Sequence, residues 1–562
     1  MKKQFMIIDN IPVEINGEKN ILELVRKAGI DLPTLCYYSE LSVYGACRMC
    51  MVENKWGGME ASCSTPPKAN MEIYTNTPRL RKYRKMILEL LLADHCRDCT
   101  TCEKSGHCKL QELAGRFGIT QVRFNNTSEK REIDNSSLCI VRDKSKCILC
   151  GDCVRVCEEV QNVGAIDFVK RGSKMSVGTA FNEPLAETNC VGCGQCAAVC
   201  PTGAIVVKND TAGLWKDISD KDALVIVQIA PAVRVGIGQA LGQKHDENVM
   251  GKIVGALKKM GFDEVFDTST GADLTVLEET TEFLSRLEKN EKLPLFTSCC
   301  PAWVNYVENK HPSLVKNVST CRSPMQMFAS IIKEHYKHSN KRVVSVAIMP
   351  CTAKKAEAKR DEFIENSVSS VDYVITTQEL IQMIIESGII FSEVEPEAVD
   401  MPFGVSSGAG VIFGVTGGVT EAVIRRVIED KSSTALRALA FNGVRGMEGV
   451  KETSIIVDNR EIKMAVVSGL KNADNLVKKI GAGEVHYDFI EVMACPGGCI
   501  CGAGQPFAKV KTKLKRSVLL YEADKMNSIK RSEENPLMIS LYSGLLKGKV
   551  HKLLHVNYIG KE

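Results

Sequence analysis

The sequence predicts a multidomain protein, α+β over roughly its first third and α/β beyond. Three observations predict it. Cysteines fall in tight runs within the first 208 residues, mostly with two residues between them, among short strand-like and helix-like segments. From about residue 209, apolar β-branched runs alternate with segments of helical period. Within that second region Cys351 follows the run 343–348 and Cys495 follows 489–492, so thiols stand at strand ends.

The 562 residues allow three or four domains at ~150 residues each. A hydrophobic content of 44% supports sizeable cores, and a net charge of +4 argues for neither nucleic acid nor membrane as a partner. The 24 cysteines are the anomaly. Runs this tight in a chain this long read as metal ligation in a reducing compartment, not as a disulfide scaffold. The N-terminus enters a strand-like pattern without an apolar signal core, and no apolar run approaches the ~20 residues that span a bilayer. A cytoplasmic location is expected.

Taken in order, residues 5–8 and 11–15 flank Asp9-Asn10 as a hairpin, and 21–25 reads as a short helix capped by Asn20. Cys36, Cys47, Cys50 and Cys63 follow. One loop gives three thiolates and a later segment the fourth, the pattern of a two-iron cluster, with zinc as the competing reading. Gly45 and Ala46 let the backbone pass close to sulfide. Arg79, Arg81, Lys82, Arg84 and Lys85 then precede an apolar helix at 86–93. They read as a solvated helix start or as a landing patch for an acidic electron carrier. His95, Cys99, Cys102 and Cys108 come next, with three, two and five residues between them. One nitrogen and three sulfurs could hold zinc, and Cys96 and His107 are neighbouring substitutes. Cys147, Cys150, Cys153 and Cys157 repeat the spacing of Cys190, Cys193, Cys196 and Cys200, each C-x2-C-x2-C-x3-C. In such repeats the fourth cysteine ligates the other cluster. That assigns Cys147, Cys150, Cys153 and Cys200 to one cubane and Cys190, Cys193, Cys196 and Cys157 to the other.

Beyond residue 209, strands are expected at 224–229, 343–348, 373–376 and 464–467, and helices at 249–260 and 273–287. Glu279, Glu282 and Arg286 share one face of the latter, which by itself reads as a salt-bridged helix face. The glycine-rich stretch 408–419 lacks a phosphate-loop lysine. Cys300, Cys351, Cys495 and Cys499 make four thiolates gathered from three segments, as a cubane needs. The methionines nearby read as core filling.

The segments Thr-Ser-Cys-Cys-Pro at 297–301, Met-Pro-Cys-Thr-Ala-Lys at 349–354 and Met-Ala-Cys-Pro-Gly-Gly-Cys at 493–499 resemble the active-site signatures of FeFe-hydrogenases. The resemblance runs over nearly the whole chain, to the large single-chain, ferredoxin-linked type. It implies a β-grasp ferredoxin domain at 1–78 with a 2Fe-2S cluster, whose ten-residue first gap is similar to that in FeFe-hydrogenases and respiratory complex I. It also implies a 4Fe-4S domain at 79–126 with one histidine and three cysteine ligands, in which His95 and Cys108 are the preferred candidates. A domain with two 4Fe-4S clusters at 127–208 makes three accessory cubanes in all, and the catalytic domain is 209–562. There the resemblance implies the H-cluster, a 4Fe-4S cubane bridged through Cys499 to a two-iron subsite with CO, CN and dithiolate ligands. Cys299 is then the proton donor, with Glu279, Glu282 and Ser319 as the proton path. Lys354 donates to a cyanide, and Met349, Met493, Pro231 and Ala232 line the pocket. The implied activity is reversible reduction of protons to H2. The implied partners are ferredoxin or flavodoxin and the hydrogenase maturation enzymes, and the implied state is a monomer. A hydrogen sensor, or a non-catalytic electron-transfer subunit, is the alternative. Three features depart from the family pattern: Met325 where glutamine is common, Ala302 for glycine, and a loop usually of consecutive glycines that here carries Cys501 and Ala503. Cys139, Cys321 and Cys501 have no assigned cluster.

Overall fold

A computed structural model describes residues 3–125, 132–243, 249–365, 367–428, 445–446, 449–457 and 460–560. The expected boundary at 126/127 lies outside the described residues. By contacts the chain forms two compact units. One comprises Met1–Val160, Gly164–Thr188 and Cys196–Val206; the other comprises Gln161–Val163, Asn189–Gln195 and Val207–Glu562. Among the described residues no helix is long and apolar enough to cross a membrane.

The first unit opens on the expected hairpin. Phe5–Ile8 pairs antiparallel with Ile11–Glu14, and Asp9 and Asn10 take φ of 48° and 68°, the left-handed pair that a two-residue turn needs. The five-stranded sheet runs Ile11–Glu14, Phe5–Ile8, Glu72–Tyr74, Met51–Asn54, Met59–Ala61. The helix Ile21–Lys27 packs against it through Ile21, Leu22, Leu24 and Val25, and Asn20 caps it by accepting from Glu23 N. The next helix starts earlier than the apolar pattern suggests. It spans Pro78–Ala93, with Thr77 as cap and Pro78 in its first turn, so the basic run lies on the helix and not ahead of it. Arg84 departs from the reading of a solvated run. It is buried, and its guanidinium donates to the carbonyls of Met49, Met51 and Thr75.

Among the described residues the second unit holds two four-stranded sheets, besides the short pair Ile364–Glu365 and Val368–Ser369, where the sequence pattern distinguished no separate sheets. The first is parallel throughout, in the order Glu264–Asp267, Ala223–Ile229, Arg342–Met349, Tyr373–Thr376. In the second, Leu295–Phe296, Phe489–Met493 and Arg460–Ser468 are parallel, and Val450–Val457 closes the edge antiparallel. The central parallel strands are buried on both faces, which is why they read as continuous apolar runs. Ligands of open α/β sheets bind outside the carboxyl ends of such strands, and here Pro231, Cys299, Cys351 and Cys495 follow four of those ends. The helix Ser269–Lys289, longer than the expected 273–287, is buried along most of its length and carries Glu279 and Glu282.

Candidate active site

Each cysteine is fixed by the element it ends or begins. Cys300 caps the helix Pro301–Lys310, and its Sγ accepts from Ala494 N at 3.4 Å. Cys351 follows the strand Arg342–Met349 and precedes the helix Ala353–Glu357. Cys495 follows Phe489–Met493, and its Sγ accepts from Gln195 Nε2 at 3.0 Å. Cys499 opens a single 3-10 turn, Cys499–Cys501. Gly498 before it has φ +86°, and a Cβ there would meet Thr416 N at 2.5 Å, so only glycine lets that turn approach the 415–416 backbone.

The four thiols line one cavity together with Pro231, Ala232, Cys299, Met325, Met349, Lys354 and Met493. Its walls are otherwise apolar, and Lys354 is the cation among the lining residues. Among the described residues no three histidine, cysteine or carboxylate groups converge on a point that would hold one metal ion. Four thiols that surround a cavity without converging on one point fit a group with several metal atoms better than a single ion. Burial pushes all four thiols up, Cys351 to about 11. Without metal they would stay protonated at neutral pH, so a cluster that takes them as thiolates must displace their protons.

Lys354 is buried, donating to Glu357 Oε2 at 2.7 Å and to the Cys299 carbonyl at 3.3 Å. Burial works against its charge, but the Glu357 carboxylate more than offsets that and its pKa is raised. Burial, with Glu279 and Cys300 nearby, raises the Cys299 thiol well above its ordinary value. Cys299 therefore rests as a thiol, whereas its unperturbed pKa would let it exchange freely near neutrality.

Glu279 is fully buried. Its Oε1 faces Ser298 N at 3.4 Å, and its Oε2 has no hydrogen-bond partner among the described residues. Burial, and then the Glu282 charge, push its carboxyl up to about 8. Glu282 lies nearby on the same helix, paired with Arg286, and accepts from Ser319 Oγ at 2.8 Å and Thr320 N at 3.0 Å. The salt-bridged face and the row of carboxylates are thus the same residues. Cys321, buried, has its Sγ 3.8 Å from Glu282 Oε2. Cys501 packs beside Ile500 and Leu520 and is not among the residues lining the cavity. Met325 does line it, Ala302 is buried in the first turn of its helix, and Ala503 is buried with its Cβ toward Gly194.

In the other unit Cys36, Cys47, Cys50 and Cys63 are all buried, with Cys36 and Cys47 Sγ 3.3 Å apart. A hydrogen bond from Cys63 holds the Cys50 thiol down to about 6. Gly45 takes φ +71° there. His95 is buried with Nδ1 unpartnered among the described residues, and burial lowers its pKa, leaving a neutral imidazole with a free lone pair or N–H. Cys99 opens a 3-10 turn, Cys102 follows it, and Cys108 caps the helix Lys109–Arg116. Cys96 Sγ turns to Asp98, and His107 is exposed. Cys147, Cys150, Cys153 and Cys200 line a second cavity. Cys157 and Cys196 fall in this unit, and Cys190 and Cys193 in the other.

Sequence reasoning missed Glu357 and Gln195. Glu357 stands three residues after Lys354 on one helix, a spacing that signals a pair. Gln195 lies inside a cysteine run, where nothing in the sequence singles it out.

Residues 223–503 match the family described as iron only hydrogenase large subunit, C-terminal domain, and 510–561 match iron hydrogenase small subunit. Upstream, 5–78 match a 2Fe-2S iron-sulfur cluster binding domain, 84–123 the NADH-ubiquinone oxidoreductase-G iron-sulfur binding region, and 146–204 a 4Fe-4S dicluster domain. The chain is 42% identical to the NADP-reducing hydrogenase subunit HndD of Solidesulfovibrio fructosivorans, over 99% of this chain and 98% of that one. It is 34% identical to iron hydrogenase 1 of Clostridium pasteurianum, over 98% and 99%. A solved variant of the FeFe-hydrogenase HydA1 from Chlamydomonas reinhardtii superposes with a TM-score of 0.53 at 35% identity, covering 62% of this chain and 98% of that one. Four cysteines around a strand-end cavity, a proton-bearing thiol beside them, and matches along both units lead to one conclusion: this chain belongs to the iron-only, or FeFe, hydrogenases, with ferredoxin-like iron–sulfur domains joined to the catalytic domain.

Proposed function

We propose that this chain catalyses the reversible reduction of protons to H2, with electrons relayed through accessory iron–sulfur clusters. The observation that carries the reading is the cavity in which Cys300, Cys351, Cys495 and Cys499 meet Cys299 and Lys354. Cys300, Cys351, Cys495 and Cys499 would hold the active-site cubane, with Cys499 shared with a two-iron subsite. That cluster supplies a soft, redox-active metal at which protons and electrons combine. The chain's own part is binding, proton delivery and exclusion of water. Lys354, kept charged by Glu357, presents a buried N–H donor to anionic ligands of the subsite. Met349, Met493, Pro231 and Ala232 keep the cavity apolar. Cys299 Sγ delivers a proton, and Glu279, Ser319 and Glu282 resupply it from the side of Arg286. Glu279 carries its proton at neutral pH, as a relay acid must.

The proposed wiring is a 2Fe-2S cluster on Cys36, Cys47, Cys50 and Cys63 in a β-grasp domain, 1–78, and a cubane on His95, Cys99, Cys102 and Cys108 in 79–126. Two further cubanes lie in 127–208. One is held by Cys147, Cys150, Cys153 and Cys200, which share a cavity. The other is assigned to Cys190, Cys193, Cys196 and Cys157. The test is infrared spectroscopy of the anaerobically matured protein. Bands from iron-bound CO and CN with H2 evolution are expected; their absence from protein with full cubane content overturns the reading in favour of an electron-transfer subunit.

The electron carrier admits two readings. The resemblance points to ferredoxin or flavodoxin. The 42% identity over almost the full length is to a protein named as a subunit of an NADP-reducing hydrogenase, which supports a partner subunit that handles a nicotinamide. Assay of the isolated chain with reduced ferredoxin and with NADPH separates them: turnover with ferredoxin alone supports the first, and turnover with neither until a partner subunit is added supports the second.

A further inference from the structure

Gln195 is one residue before Cys196 in the second cysteine run, yet its side chain reaches the active site. Its Nε2 donates to Cys495 Sγ at 3.0 Å and lies 3.5 Å from the Cys501 carbonyl. The backbone that carries it is held. Thr352 Oγ1, next to Cys351, donates to the Gly192 carbonyl at 2.7 Å. Gly194, at φ +67°, lies so close to Thr352 that a Cβ there would stand 2.4 Å from Thr352 Oγ1. Gln195 is therefore delivered by an immobilised turn, and its amide is aimed at one sulfur. Cys300 takes its hydrogen bond from a main-chain N–H. Cys495 takes one from a side chain, which a substitution can remove.

We propose that Gln195 is a positioning residue that sets the reduction potential of the active-site cubane through its N–H···S hydrogen bond to Cys495. This rests on the reading of Cys495 as a cubane ligand. A donor aimed at a ligating sulfur stabilises the more negative, reduced state of a cluster and so raises its potential. The donor also stands covalently next to Cys196, a proposed ligand of an accessory cubane. The same residue would thus bias the last electron transfer toward the active site, and a substitution here would alter the direction of turnover before it altered the chemistry.

The experiment uses the full-length, anaerobically matured protein and compares wild type, Gln195→Leu, Gln195→Glu and Cys495→Ser. Redox titration followed by electron paramagnetic resonance and infrared bands reads the active-site cubane apart from the others. Removal of the donor is expected to disfavour reduction about tenfold, ~59 mV more negative for one electron, in both Gln195 variants, with cluster content and the CO and CN bands retained. Turnover should shift toward H2 oxidation relative to evolution. An active-site midpoint unchanged within twofold in both, while Cys495→Ser alters that cubane's signal, overturns the role of Gln195 and leaves the ligand reading intact. A Cys495→Ser protein with an unaltered cubane overturns both. If Gln195→Leu fails to fold, Gln195→Glu, which keeps the side-chain shape, carries the measurement.

Discussion

Glu279 and Glu282 stand on one face of one helix in opposite surroundings. Glu282 is surrounded by Arg286, Ser319 Oγ and Thr320 N, whereas Glu279 has one long contact to Ser298 N and an oxygen with no partner among the described residues. Burial raises the Glu279 carboxyl most, and the charge of Glu282 adds to it, to about 8.

That shift gives a prediction in pH. A raised carboxyl contributes stability that is fully present below its unfolded value of about 4.5 and is lost as pH climbs through about 8. Wild-type stability should fall across that window, by up to about 1.4 kcal/mol per pH unit from this group. Glu279→Gln should flatten the slope in denaturant titrations and lower turnover on the order of 10²–10⁴-fold, the usual worth of a general acid or base. An unchanged slope and unchanged turnover would leave Glu279 as packing.

Cys299 is buried beside Cys300 but is not one of the four cubane thiols. Cys299→Ala should leave every cluster signal in place and abolish most turnover. Loss of iron from the active-site cubane in that protein would make Cys299 structural.

Met325 lines the cavity, and Cys501 does not. Met325→Gln should therefore add a donor beside the metal ligands, worth about 1–3 kcal/mol to an electron-rich state, and shift the active-site potential in film electrochemistry. Cys501→Gly should leave it where it was. A shift in Cys501→Gly, or recovery from an oxidising step that depends on it, would show that the thiol reaches the site.

The helix Pro78–Ala93 separates two roles within one basic run. Arg84→Ala leaves three buried carbonyls unpaired and should cost roughly 2–3 kcal/mol of stability in the N-terminal unit. Arg81, Lys82 and Lys85 are exposed. Replacing these three by glutamine should leave stability unchanged and weaken reduction by an acidic carrier, with a smaller effect at high salt.

Much of this was legible from residues alone. Asp9-Asn10 marks a two-residue turn because both must take positive φ, and the runs at 343–348 and 489–492 mark buried parallel strands because both faces are covered. Arg84 was not legible. Its neighbours in sequence are solvated, and only the fold brings the carbonyls of Met49, Met51 and Thr75 to it. Nor could the strand pattern separate two sheets, since strand order is set by contacts far apart in sequence. The protonation of Cys299 depends on burial that no motif records. Gln195 was invisible for a related reason: its partner is 300 residues away.

Residues 161–163 and 189–195, the latter carrying Cys190 and Cys193, belong to the catalytic unit, although residues 147–157 and 196–200 do not. Gln161 donates to the Ala494 carbonyl, Asn162 to Tyr306 and Thr352 to the Gly192 carbonyl, so these two short strips act as rivets. The catalytic unit is therefore not one continuous length of chain: it borrows two strips from inside the cysteine-rich region. A chimera that exchanges electron-input modules by cutting at residue 208 would discard the rivets along with the clusters. One that transplants a foreign dicluster domain while retaining 161–163 and 189–195 keeps the catalytic unit whole, and the same restriction bears on how lineages of such enzymes could trade their wiring.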